Sequence, residues 1–296
     1  MTSTPKLNMG QRALFTAKYF ASKLSVLSEV ESPKLQFMSY ELRYTLSNVL
    51  GSLNPKFGFQ PTWNSAETLI TTKWGRFRVR PKTQDAAVIS PAFERDDFMY
   101  LVGLVRKQLN TGHPVCFLDL GANIGKFTIS LGFTFKSDPV RIFAIEALKE
   151  TFSVLRDSAD LNGLDASKVT LINKAVMDVP GKLMFAVDET SYGNSTLMPT
   201  SDHKKDREVE VEVIPIDSLE ISPSNDNEVL IVKMDVEGVE IPTLKGGRET
   251  WKRFKRVYFV VEDTLNTDAI HAHLEELGAR KIRNTSVYNS WWTIER

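Results

Sequence analysis

Among 296 residues there is one cysteine, Cys116, and there are only four histidines. A lone thiol excludes an intrachain disulfide framework and cysteine-rich zinc sites, and a reducing, cytoplasmic setting is expected. Net charge is also missing: 37 Lys and Arg balance 37 Asp and Glu. Without a global basic field, neither nucleic acid nor an anionic membrane is expected as a partner. No run of about 18 apolar residues occurs, so no transmembrane segment is expected, and the opening Met-Thr-Ser-Thr-Pro lacks the apolar stretch of a secretory signal. The histidines are too scattered for a catalytic pair. His113 precedes an expected strand, His203 sits in a polar loop, and His271 and His273, two apart on an expected helix, face different ways.

What the chain does have is pattern. Across residues 11–30, Leu14, Ala17, Phe20, Ala21, Leu24, Leu27 and Val30 recur at helical spacing. That stripe needs a cover: the protein's own body, a second subunit in a homodimer through the N-terminal helices, or a membrane interface. A second helix is expected over 39–53, and Asn54-Pro55, Gly58 and Pro61 then mark a connection. Residues 74–80 alternate as a strand or hairpin arm, and 96–109 read as a helix. This divides the chain into an N-terminal helical extension, residues 1–70, and a main domain, 71–296.

From residue 115 onward the rhythm becomes regular. Apolar runs at 115–120, 141–145, 169–172, 229–234 and 257–261 are expected strands, with helices at 126–135 and 149–162. Runs apolar on both faces, alternating with helices, indicate a doubly wound, mostly parallel α/β sheet with ligands at the carboxyl ends of its strands. Residues 182–187 and 209–214 read as an inserted hairpin. The polar stretch 191–207 between them is either a flap or an ordinary surface loop.

The first run ends in Asp119-Leu120-Gly121-Ala122-Asn123-Ile124-Gly125. Gly121 and Gly125 bracket a tight strand-to-helix turn that lets a ligand approach the backbone. A dinucleotide site leaves the helix amides free for a pyrophosphate. Here a carboxylate, Asp119, opens the turn, which suits the α-amino group of S-adenosylmethionine (SAM), and the spacing is G-x-x-x-G. The second run ends at Glu146, placed to accept hydrogen bonds from ribose hydroxyls. Ala147 follows it, and after the third strand Ala175 and Val176 read equally as an adenine wall and as ordinary core.

The fourth run delivers Asp235-Val236-Glu237-Gly238-Val239-Glu240. Asp235 has three available roles: base for an acceptor hydroxyl, metal ligand, or partner of the sulfonium. The metal alternative groups Asp235, Glu262 and Asp263 around a divalent cation, although no metal is required by the reading. Methyl transfer is an in-line displacement in which alignment supplies most of the acceleration, so the want of a catalytic histidine is no obstacle.

In these segments the chain resembles the FkbM family of SAM-dependent methyltransferases. The resemblance runs from about residue 75 to the C-terminus. It rests on Gly-Arg-Phe-Arg-Val-Arg (75–80), Ser90-Pro91-Ala92-Phe93-Glu94, the Asp119 to Gly125 turn, Ile216-Asp217-Ser218-Leu219, and Lys233 to Glu240 ending in Leu244-Lys245-Gly246-Gly247. It implies a class I SAM-methyltransferase, a Rossmann-like fold with a seven-stranded sheet. It further implies O-methylation of a hydroxyl on a sugar, polysaccharide or natural-product small molecule. By position, Asp119, Gly121, Ala122, Asn123, Gly125, Glu146, Ala147 and Ala175 line the SAM site, Glu94 lies at its edge, and Asp235 and Glu237 face the methyl group as catalytic residues. The alternatives are a nicotinamide-dependent oxidoreductase on a similar fold and a noncatalytic SAM-binding protein.

Overall fold

The computed structural model describes residues 27–53, 61–66, 68–190, 192, 195–196, 206–263, 267–286 and 288–296. Most of the expected 11–30 helix, like His203, lies outside the described residues. Its end, Leu27–Glu29, is a 3-10 turn leading into β1 (Val30–Ser32). Next come α1 (Lys34–Leu53), β2 (Leu69–Thr72) and β3 (Gly75–Arg78), and the three strands form a small antiparallel sheet. The boundary expected at residue 70 therefore falls inside a strand. Phe37, Tyr40 and Trp63 of this region share one core with Ile124, Ile129 and Leu155 of the main domain. β3 is also tied down by hydrogen bonds: the Arg76 and Arg78 amides donate to Asn162 Oδ1 and Ser158 Oγ, each at 2.9 Å.

After α2 (Asp85–Val88) and α3 (Arg95–Asn110), the large sheet begins with β4 (Val115–Leu120), all six residues buried. Then follow α4 (Lys126–Thr134), β5 (Val140–Ile145), α5 (Lys149–Leu161) and β6 (Val169–Ile172). A second three-stranded sheet comprises β7 (Ala175–Val176), β8 (Gly181–Val187) and β9 (Arg207–Ile214). The chain continues through β10 (Val229–Met234), α6 (Glu240–Gly246), α7 (Arg248–Arg253), β11 (Arg256–Glu262), α8 (Thr267–Glu276), β12 (Arg280–Asn284) and β13 (Asn289–Glu295).

The seven-stranded sheet runs β12-β13-β11-β10-β4-β5-β6, and β13 alone is antiparallel to its neighbours. This is the doubly wound, Rossmann-like arrangement of the class I SAM-methyltransferases. Central strands are buried on both faces because helices cover each side, which is why they read as unbroken apolar runs. Connections from β4 depart toward β5 on one side while β10 lies on the other, opening a crevice at the carboxyl ends of these strands.

Candidate active site

Two close approaches shape the crevice. Gly121 sits at φ +77°, and a Cβ there would lie 1.8 Å from the Asp235 carbonyl oxygen, so no other residue lets β4 and β10 come this near. The peptide chains are joined at the same place, Asp235 N–H donating to Leu120 O at 3.1 Å. Asn123, also in the left-handed region at φ 51°, points its N–H at Glu146 Oε2 (3.0 Å), and the Leu148 N–H donates to Glu146 Oε1 (2.8 Å). One carboxylate is thus clamped by two backbone amides at the end of β5. Burial raises its pKa to about 7, against the lowering pull of those two amides.

A cavity open to solvent lies here, at the carboxyl ends of the central strands. Gly121, Asn123, Glu146, Ala147, Ala175, Asp235 and Glu237 all line it, seven of the residues anticipated from the sequence. Lys174, Phe185, Tyr192 and Ser195 line it too, and nothing in the sequence pattern singled them out. Three come from β8 and the stretch after it, read beforehand as flap or surface loop. Thr196 is fastened to the site: its Oγ1 donates to the Glu237 carbonyl at 2.5 Å, and Glu237 itself holds φ 53°.

The far side of the crevice is a knot of buried charge. Lys233 is 6% exposed and its Nζ donates to Asp235 Oδ2 at 2.9 Å, while a quarter of the Asp235 side chain stays accessible. Burial alone would neutralise Lys233, but Asp235, Glu94 and Asp119 outweigh it and hold the ammonium charged. Burial likewise works against the Asp235 carboxylate, yet Lys233 and a hydrogen bond from Glu262 leave it below the ordinary value. The neighbours carry the opposite shift. Burial, reinforced by Asp235, lifts Glu237 to about 8 and Glu262 to about 10, so Glu262 is a proton donor to Asp235 at neutral pH. For Lys233, the member of this cluster given no role beforehand, the available signal was an ammonium within the apolar strand Val-Leu-Ile-Val-Lys-Met, because lysine is rarely buried without a partner.

Several anticipated residues stand elsewhere. Asp119 does not line the cavity. It is 1% exposed beneath the turn, accepts from Thr128 Oγ1 at 2.6 Å, and its Oδ1 has no hydrogen-bond partner among the described residues. Strand alternation turns it toward α4, alongside Lys233, its register partner on β10. Contact with an ammonium in the cavity is therefore not made by Asp119, whose burial raises its pKa. Ala122 and Gly125 also stand behind the wall: a Cβ on Gly125 would come within 2.4 Å of Leu155, so that glycine serves helix packing. Glu94 joins the Lys126 and Lys233 charge group rather than the cavity lining. Asp263 leaves the proposed metal set. It accepts from Ser290 Oγ at 2.7 Å and pairs with His271 Nε2 at 2.5 Å, and Glu237 takes its place in a group whose oxygens, with those of Asp235 and Glu262, lie within 4.8 Å of one another.

The model of the methyltransferase FkbM domain matches residues 119–281, just over half of the chain. The chain belongs to the FkbM methyltransferase family. Its matched region starts at the buried Asp119 and ends in β12, so the small N-terminal sheet and β13 lie outside it. Among solved structures, the methyltransferase FkbM from Methylobacillus flagellatus KT aligns with TM-score 0.43 and 15% identity, covering 95% of this chain and 60% of that one. The chain thus spans about three-fifths of that relative's length. Magnesium protoporphyrin IX methyltransferase from Synechocystis PCC 6803, solved with bound SAM, aligns with TM-score 0.38 and 10% identity over 67% of this chain and 78% of that one. No curated protein matches the sequence. Membership in this family sets the oxidoreductase alternative aside.

The residues present suit the family's cofactor, SAM. Gly121 and Asn123 bring the tight turn after β4 to the cavity wall, where a ligand meets it. Glu146 offers a fixed acceptor to a diol. The ionised carboxylate of Asp235 makes that end of the cavity receptive to positive charge.

Proposed function

We propose that this chain is an O-methyltransferase acting on a hydroxyl of a sugar, polysaccharide or natural-product small molecule, with SAM held by Gly121, Asn123, Glu146, Ala147 and Ala175. Bound there, SAM supplies an activated methyl group. The observation that carries the reading is the sharing of one cavity by an amide-clamped carboxylate, Glu146, and a reactive pair, Asp235 and Glu237.

The chain's own residues divide the remaining work. Glu146 accepts from the ribose hydroxyls. Asp235, kept ionised by Lys233, steadies positive charge beside the transfer path. Glu237, with its pKa near 8, takes the proton from the acceptor hydroxyl, because a base poised near working pH is the most effective. A divalent ion has no necessary place, since Lys233 already supplies the countercharge to Asp235. The exposed Leu35, Met38, Leu42 and Leu46 on one side of α1 favour a homodimer contact through the N-terminal region.

Calorimetry with S-adenosylhomocysteine, followed by a screen of cell extract with isotopically labelled SAM, tests the reading. Micromolar binding and label transferred to a hydroxyl are expected. A protein that binds no S-adenosylhomocysteine contradicts it, and one that binds without transferring label is the noncatalytic alternative.

A further inference from the structure

Arg80 and Tyr192 form a pair that the methyl-transfer chemistry leaves unused. The Arg80 guanidinium lies 3.8 Å from the centroid of the Tyr192 ring and covers one of its faces. Arg80 is itself locked, its Nε and Nη2 donating to Asp85 at 2.8 and 2.9 Å and its Nη1 to Thr151 Oγ1 at 3.2 Å. The segment bearing Tyr192 is held to the same support, with Gln84 N–H donating to Thr190 O at 3.0 Å. Tyr192 packs against the cluster that holds Leu148, Ala175 and Phe185, and it lines the same cavity as Glu146.

We infer that Tyr192, backed by Arg80, is the platform on which the base of the bound nucleoside stacks. The inference rests on the SAM reading of the cavity and adds to it the identity of the base-holding wall. The physical case is one of reach and stiffness. Glu146 holds the ribose, the base projects one ring away from it, and of the two aromatic rings in the wall, Phe185 and Tyr192, Tyr192 is the one backed by a fixed cation. A loop tyrosine would usually lose rotamer freedom on stacking, but a ring already capped by a fixed guanidinium has little left to lose. Every base offers a π-face, so the contact contributes affinity without reading base edges. Arg80 stands well before residue 119, where the family match begins, so a residue outside the matched region supports the nucleoside site.

The test uses the full chain with two probes, S-adenosylhomocysteine by calorimetry and the fluorescent nucleoside 2-aminopurine riboside, whose emission is quenched by stacking. Wild type is expected to bind the first and quench the second. Tyr192→Leu is expected to weaken both by about tenfold or more and to abolish the quench, while Tyr192→Phe stays within about twofold of wild type. Wild-type binding with unchanged affinity and quench in Tyr192→Leu overturns the platform alone. Wild type that binds neither probe overturns the SAM reading and the platform together. Should Tyr192→Leu fail to fold, Arg80→Lys decides: it keeps the charge opposite Asp85 but removes the planar cap, so a weakened quench supports the inference and an unaltered one refutes it.

Discussion

Glu146 and Asp235 face the same cavity from two strands of one sheet, yet their surroundings are built to different ends. Glu146 has no lysine against it. Its two oxygens are filled by the amides of Asn123 and Leu148, a rigid arrangement in which position is fixed and nothing needs to move. Asp235 stands among ionisable groups instead, with Lys233 bonded to one oxygen and Glu262 donating to the carboxylate. Amide-clamped acids hold ligands; coupled acids trade protons. On the proposed reading the cavity has a binding half and a reacting half, and Gly121, at the end of β4 between them, is where the Asp235 backbone comes closest.

Filling that point is expected to do the most damage. Gly121→Val forces a side chain into the Asp235 carbonyl at a positive φ, a cost of about 3 kcal/mol or more. Thermal unfolding and calorimetry should show a large drop in Tm and no detectable S-adenosylhomocysteine binding. Asp235→Asn strikes the reacting half alone: turnover on the acceptor found by the label screen should fall by about 10²–10³-fold, with S-adenosylhomocysteine affinity held within about threefold. Glu146→Ala strikes the binding half and should weaken S-adenosylhomocysteine by at least about tenfold while kcat at saturation is nearly unchanged. Equal losses of kcat and affinity in both variants would erase the division.

The pH dependence of stability separates the halves more gently. Glu237 and Glu262 have folded pKa values of about 8 and about 10, above their ordinary 4.5. Each keeps its proton longer when folded, so the folded state binds more protons than the unfolded state above pH 4.5. Stability is complete below that value and declines as pH rises toward the folded values. Asp235, whose pKa is lowered, acts in the opposite sense, and its contribution is lost as pH falls through its folded value. Glu237→Gln should flatten the decline of Tm between pH 5 and 8, which a pH series of melts reads directly. The smallest effect belongs to Asp263→Asn. Because that side chain is occupied by His271 and Ser290, turnover should stay within about twofold even as Tm falls.

The central strands were legible in the sequence because burial on both faces leaves an uninterrupted apolar run. Two of them, Val115–Leu120 and Val229–Met234, coincide with the expected bounds, as does the apolar edge strand Val169–Ile172. β12 escaped because an exposed edge strand, Arg-Lys-Ile-Arg-Asn, carries no such run, and β13, whose Asn-Ser-Trp-Trp-Thr-Ile-Glu mixes polar with apolar residues, went unread beside it. Glu146 and Asp235 were legible from their places at strand ends. Asp119 was legible as an important acid but not as a buried one, since the direction of a strand residue depends on which face the neighbouring helix covers. Asp263 failed for the same reason, one position of alternation separating it from Glu262. Tyr192 left no trace at all, because a loop aromatic becomes part of a site only when another segment is folded against it.

By itself, then, the order of residues determined the βα rhythm, the glycine turn and the acids stationed at strand ends, since each depends on neighbours a few positions apart. Folding decided which carboxylates share a cavity, which is sealed beside a lysine, and that an arginine from residue 80 supports a tyrosine from residue 192. Those relations join segments distant in the chain, and burial, which sets their charge states, exists only once the segments have met.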